Sequence, residues 1–190
     1  MAINIAVLAS GSGSNAENIV NYFQNNDRVN VALIISNKKD AFVHQRAQRL
    51  GIESVTFSKS DFESSDAVLN CLKKNTIDFI VLAGFLLKVP QNLTDSYPNK
   101  IVNIHPALLP KFGGKGMYGD NVHKAVVAAG ETESGITIHY INENYDEGAI
   151  IFQAKCPVLK TDSFEDVANK VHALEYKYFP VIIEQVLGKL

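Results

Sequence analysis

Five apolar runs separated by amphipathic stretches restrict this chain more than any other feature. They are "INIAVLA" from Ile3, "NVALIIS" from Asn30, "ESVTF" from Glu53, "IDFIVLAGF" from Ile77 and "KIVNIHP" from Lys100. Most are near-continuously hydrophobic rather than alternating, the pattern of strands buried on both faces. Between them lie stretches at helical spacing: Ser14 to about Gln24, "DAFVHQRAQRLG" stopped at Gly51, and one helix over "SDFESSDAVLNCLKK" opened by a Ser/Asp cap. A βαβαβαβ rhythm of this kind predicts an open α/β fold with a mostly parallel sheet and helices on both faces.

The second half changes character. "DNVHKAVVAAG" reads as a short helix ended at Gly130. "SGITIHYI" and "GAIIFQAKCPV", joined by the polar "NENYDE", predict an antiparallel pair added to the sheet. "SFEDVANKVHALEYKYFPVIIEQVLGKL" predicts a long final helix interrupted at Pro180. With 190 residues and neither repeats nor a low-complexity linker, the expectation is a single domain over 1–190.

A net charge of −2 offers no general attraction for nucleic acid or anionic membrane, so neither is an expected partner. Cys71 and Cys156 are far apart, with no ligand-like spacing, and read as buried free thiols. The start "MAINIAVLAS" lacks the basic segment and longer apolar core of a signal peptide, and no run reaches about 18 apolar residues. The expected location is cytoplasmic.

The turn "SGSGSN" after the first strand opens into a helix, where free amides and the positive end of the dipole favour an anion. Gly11 and Gly13 let the backbone approach a ligand closely, and Ser10, Ser12, Ser14 and Asn15 add short polar side chains. Gly11, Gly13 and Ala16 formally match the dinucleotide fingerprint, yet Ser36 and Asn37 stand where it requires an acid about 20 residues on. No Walker lysine follows the glycines. A phosphate is the natural guest, with a plain tight turn and helix cap as the alternative.

The other polar feature is "KIVNIHPALLP". At strand spacing Asn103 and His105 project from the same face, and Pro106 holds His105 extended. An amide donor beside a titratable ring can stabilise an oxyanion and move a proton. The rival reading is a turn residue and a satisfied core histidine. A carboxylate brought against His105 would favour the imidazolium; Asp146 is one candidate, although alone it reads as a solvated loop acid beside Glu143 and Glu147. His139 either orients that acid or fills the core, while His44, His123 and His172 read as helix-surface or rim residues.

"SGSGSN", "VLAGF", "NIHPALLPKF", "SGITIHYI" and "DEGAIIFQAKCPV" occur here in the order seen in the folate-dependent formyltransferases, and over essentially the whole chain they resemble the phosphoribosylglycinamide branch of that family. The resemblance implies a Rossmann-like fold and formyl transfer from 10-formyltetrahydrofolate to 5′-phosphoribosylglycinamide in purine biosynthesis. It implies Asn103, His105 and Asp146 as the catalytic trio, and Gly13, Ser14 and Asn15 as the grip on the 5′-phosphate. It also implies Glu175 at the ribose end, and Leu86, Leu87, Lys88 and Val89 with Asn103 at the folate. The implied donor is a co-substrate, no metal is required, and the chain acts as a monomer or homodimer. The stretch "KFGGKGMYGDNVHKA" is longer than the compact family loop and could cover the active site, and Ser65 stands where some relatives carry an arginine near the folate tail.

Overall fold

The computed structural model describes residues 2–144 and 146–189; Met1, Tyr145 and Leu190 lie outside the described residues. The chain divides into two compact units, residues 1–102 and 103–190.

In the first unit, strands β1 (Ile3–Leu8), β2 (Val29–Ser36), β3 (Glu53–Thr56) and β4 (Phe79–Leu82) stand in the order β3-β2-β1-β4, all parallel. The central register pairs Val7 with Ile34 on one side and with Val81 on the other. Ile5 to Ala9 and Phe79 to Val81 are fully buried, which is why these runs show no polar alternation. Helix α1 (Ser14–Phe23) buries Ala16, Ile19, Val20 and Phe23, a stripe at helical period, and α2 (Val43–Leu50) lies beside it.

The expected single helix over 60–74 is two: α3 (Lys59–Ser64) and α4 (Ala67–Lys74). Ser58, not a residue further on, caps α3 through a reciprocal box with Asp61. Ser65 then turns extended (φ −148°), and its hydroxyl donates to the Asp61 carbonyl at 2.9 Å while accepting the Ala67 amide at 3.3 Å. Side-chain competition for backbone partners ends one helix and starts the next. The segment after β4 leads through α5 (Gln91–Ser96) to β5 (Ile101–His105), which straddles the division between the units.

The second unit contains the end of β5, α6 (Asp120–Ala128), β6 (Glu133–Tyr140), β7 (Ile150–Pro157) and α7 (Phe164–Leu187), in strand order β5-β6-β7. β6 and β7 are antiparallel, as expected, with a register shift at Ile138/His139. Helix α7 runs 24 residues through Pro180 without the expected interruption. Phe179, Pro180, Ile182, Ile183 and Val186 are all buried, so packing on both sides of the proline outweighs the lost backbone bond. Both cysteines are free, Cys156 buried and Cys71 half-buried. Among the described residues no helix is long and apolar enough to cross a membrane.

Candidate active site

In the second unit, β5 delivers Asn103 and a nearly buried His105, and β6 delivers His139, which is fully buried. The polar loop between β6 and β7 brings Asp146 against both imidazoles. One carboxylate oxygen lies 3.6 Å from His105 Nδ1 and the other 3.7 Å from His139 Nε2, with the acid only 13% exposed. The solvated-acid reading of Asp146 therefore gives way.

Backbone groups of the stretch after Pro110 hold this arrangement. His105 Nε2–H donates to the Phe112 carbonyl at 2.8 Å, which turns Nδ1 toward the acid. The Gly114 amide donates to Asp146 Oδ2 at 2.9 Å. Phe112 and Asp146 both adopt left-handed backbone, φ 56° and 55°, a conformation that costs most for a bulky residue and is retained where surroundings enforce it. The long loop thus does meet the catalytic candidates, through peptide groups that residue spacing does not reveal.

Burial pushes the His139 pKa down, opposed by the Tyr140 carbonyl and Asp146, so the ring is neutral near pH 7. Its Nδ1–H donates to the Tyr140 carbonyl at 2.9 Å, which leaves Nε2 as an acceptor. The Asn103 Nδ2–H donates to it at 3.1 Å. The neutral histidine therefore sets which way the Asn103 amide faces and leaves its second N–H for a ligand oxygen.

On α7, Glu175 is 5% exposed rather than on a solvated face, and His172 Nδ1 meets its carboxylate at 2.9 Å. That hydrogen bond lifts the His172 pKa against the opposing effect of burial. His123 corrects the surface expectation: it is buried with Val122 and Val126 on the inner side of α6, edge-on to His172 at a ring separation of 6.1 Å. Burial and the neighbouring His172 push its pKa down, and its Nδ1 has no partner among the described residues.

The His172–Glu175 pair has a signed pH consequence. A histidine whose pKa rises on folding adds stability that is complete below its unfolded value near 6.5 and is lost as pH rises through the folded value. His172→Gln keeps a neutral donor to Glu175 and removes the charge. Urea unfolding should show wild type ahead by up to about 1 kcal/mol in acid, since the half-exposed ring is screened, with the gap closing as pH rises. A gap constant with pH would contradict the pairing.

In the first unit, the turn after β1 carries the proposed anion grip. Gly13 (φ 73°) precedes α1, with Ser14 and Asn15 half-buried in its first turn. Ser10 does not face a ligand: its hydroxyl donates to Asn37 Oδ1 at 2.5 Å and accepts the Leu86 amide at 2.9 Å. Asn37, at the place of the missing dinucleotide acid, serves as that internal tie. Leu86, Leu87, Lys88 and Val89 form irregular backbone after β4, with Leu86 exposed and Val89 buried. Their peptide groups are outside any strand or helix, which suits edge-on hydrogen bonding to a flat heterocycle, although the Leu86 amide is already taken.

A family model described as formyl transferase matches residues 3–183. The chloroplastic phosphoribosylglycinamide formyltransferase of Arabidopsis thaliana is 40% identical over 185 residues, covering 94% of this chain and 63% of that protein, so this chain spans under two thirds of its length. The phosphoribosylglycinamide formyltransferase of Haemophilus influenzae is 37% identical, covering 95% of this chain and 85% of its own. The crystal structure of glycinamide ribonucleotide transformylase 1 from Geobacillus kaustophilus superposes with a TM-score of 0.89 at 34% identity, covering 98% of this chain and 100% of that one. A match through nearly every element described above leaves one assignment: the chain belongs to the formyl transferase family.

Proposed function

We propose that this chain transfers a formyl group from 10-formyltetrahydrofolate to the amine of 5′-phosphoribosylglycinamide, giving the N-formyl product and tetrahydrofolate in purine biosynthesis, in the cytoplasm. The observation that carries the reading is the position of Asp146, 3.6 Å from the His105 ring and 3.7 Å from His139, which in turn holds Asn103 at 3.1 Å. The folate co-substrate supplies an activated formyl carbon. As the acceptor amine attacks, negative charge develops on the formyl oxygen. The free N–H of Asn103 and a proton on His105 Nδ1 are the donors suited to that charge. Asp146, facing the same Nδ1, is assigned to take the proton released by the amine and to return it toward the departing folate nitrogen, directly or through His105. Neutral His139 acts on Asn103 and not on the reacting atoms.

Gly13, Ser14 and Asn15 are assigned to the acceptor's 5′-phosphate, and Glu175, buried and already ion-paired, to its ribose hydroxyls. Leu86, Leu87, Lys88 and Val89, together with Asn103, are assigned to the pterin. Support for these roles comes from the family's motif order and from the chemistry of each position: amides at a helix start for an anion, a buried carboxylate for hydroxyls, irregular backbone for a heterocycle.

The test is the absorbance change that accompanies tetrahydrofolate formation, run with 10-formyltetrahydrofolate and with or without phosphoribosylglycinamide. The expected signal depends on the acceptor. Equal rates in its absence would assign the chain to formyl-folate hydrolysis, and no signal with it would remove the reading.

A further inference from the structure

Helix α2, which the proposed reaction does not use, carries the groups that aim the turn after β1. The Val43 amide donates to the Gly11 carbonyl at 3.2 Å, and Arg46 Nε donates to the Ser12 carbonyl at 2.8 Å. Gly13 sits directly on the start of the same helix: a Cβ there would fall 2.3 Å from Val43 Cγ2 and 2.9 Å from its Cα. In a planar trans peptide the C=O and N–H point in opposite directions. Pinning the carbonyls of Gly11 and Ser12 to α2 therefore turns the amides of Ser12 and Gly13 away from it. Among the described residues neither amide donates to a backbone carbonyl. Two consecutive N–H groups facing one way, ahead of the first amides of α1, form a concave anion site.

Charge points the same way. Glu17 lies in the first turn of α1, where a carboxylate opposes a bound dianion. Arg46 and Arg49 each ion-pair with one of its oxygens. One carboxylate and two guanidinium groups leave a net positive charge beside the turn. Arg46 is further held over the Phe42 ring, 5.1 Å from its centroid.

We propose that Arg46 is the positioning residue of the phosphate grip: it fixes the Ser12 peptide so that its neighbouring amides face the 5′-phosphate, and cancels Glu17 so that the dianion is not repelled. This rests on the phosphate assignment made above. Arg46 touches the turn and Glu17, not the reacting atoms.

The experiment compares phosphoribosylglycinamide with the same acceptor lacking its 5′-phosphate, in wild type, Arg46→Ala and Arg46→Lys. Arg46→Ala raises KM for the phosphorylated acceptor about tenfold, the loss of one charge-assisted hydrogen bond. It leaves kcat and the KM for the folate within about threefold, and carries no penalty on the dephosphorylated acceptor. Arg46→Lys keeps a cation but lacks the fork needed for Ser12 and Glu17 together, so it falls between. A penalty equal on both acceptors, or none on either, overturns the proposal. Wild type showing no preference for the phosphorylated acceptor overturns the phosphate assignment itself, a distinguishable failure. Thermal stabilisation by inorganic phosphate gives a second readout independent of turnover: present in wild type, lost in Arg46→Ala. Equal stabilisation of the two proteins also overturns the proposal.

Discussion

Asp146→Asn should lower kcat by about 10³-fold while leaving both Michaelis constants within about threefold. The substitution isolates charge from shape. Asp146 Oδ2 accepts the Gly114 amide at 2.9 Å, and an asparagine carbonyl can accept that same bond, so the loop keeps its anchor. What disappears is the negative charge 3.6 Å from His105 Nδ1 and 3.7 Å from His139 Nε2. An amide at that place can neither take the proton from the attacking amine nor support positive charge on His105. Since those duties arise as the reaction proceeds and not on binding, the loss falls on turnover. Steady-state kinetics with each substrate varied in turn makes the check. A large rise in both Michaelis constants with normal kcat would mean that Asp146 merely tethers its loop, and the mechanism would need another base.

The parallel core could be read directly because β1 and β4 are buried on both faces and so appear in sequence as unbroken apolar runs. Asn103 and His105 could be read because they lie two residues apart on one strand, where side-chain direction follows from spacing alone. Asp146 could not be placed this way, since a loop with left-handed backbone decides where its side chain ends. The resemblance to known formyltransferases implies it, and the folded loop sets it against the ring. Phe112 and Gly114 are not legible for a different reason: each contributes a peptide group, and a peptide group has no sequence signature. His123 reads as a surface residue because α6 is short and its inner side runs Val122, His123, Val126, so a buried histidine looks like a polar interruption. The division between α3 and α4 was hidden by serines, which serve equally as helix surface and as helix end.

Gly135→Ala should lower stability by about 3 kcal/mol, a melting shift of roughly 6–12 °C for a chain of this size. Gly135 sits within β6 opposite Lys155 of β7, and a Cβ there would fall 1.9 Å from the Ala154 carbonyl oxygen and 2.8 Å from Leu108 Cδ2. The first obstacle is backbone in a paired strand, which cannot rotate aside as a side-chain tip would, so the two strands must part. The damage reaches the candidate site through Thr137, two residues on. Its hydroxyl accepts the Leu109 amide at 3.0 Å and donates to the Ala107 carbonyl at 2.7 Å, tying β6 to the turn that follows His105. Gln153 of β7 completes the tie, donating to the Thr137 hydroxyl at 2.8 Å and to the Leu109 carbonyl at 3.0 Å. Parting β6 from β7 loosens that network and moves His139 away from Asn103, so activity and melting temperature should fall together, unlike in Asp146→Asn. Thermal melts of purified protein make the check. A melting temperature within about 2 °C of wild type would show that the strands absorb the methyl group and that the tie between sheet and site is weaker than its hydrogen bonds imply.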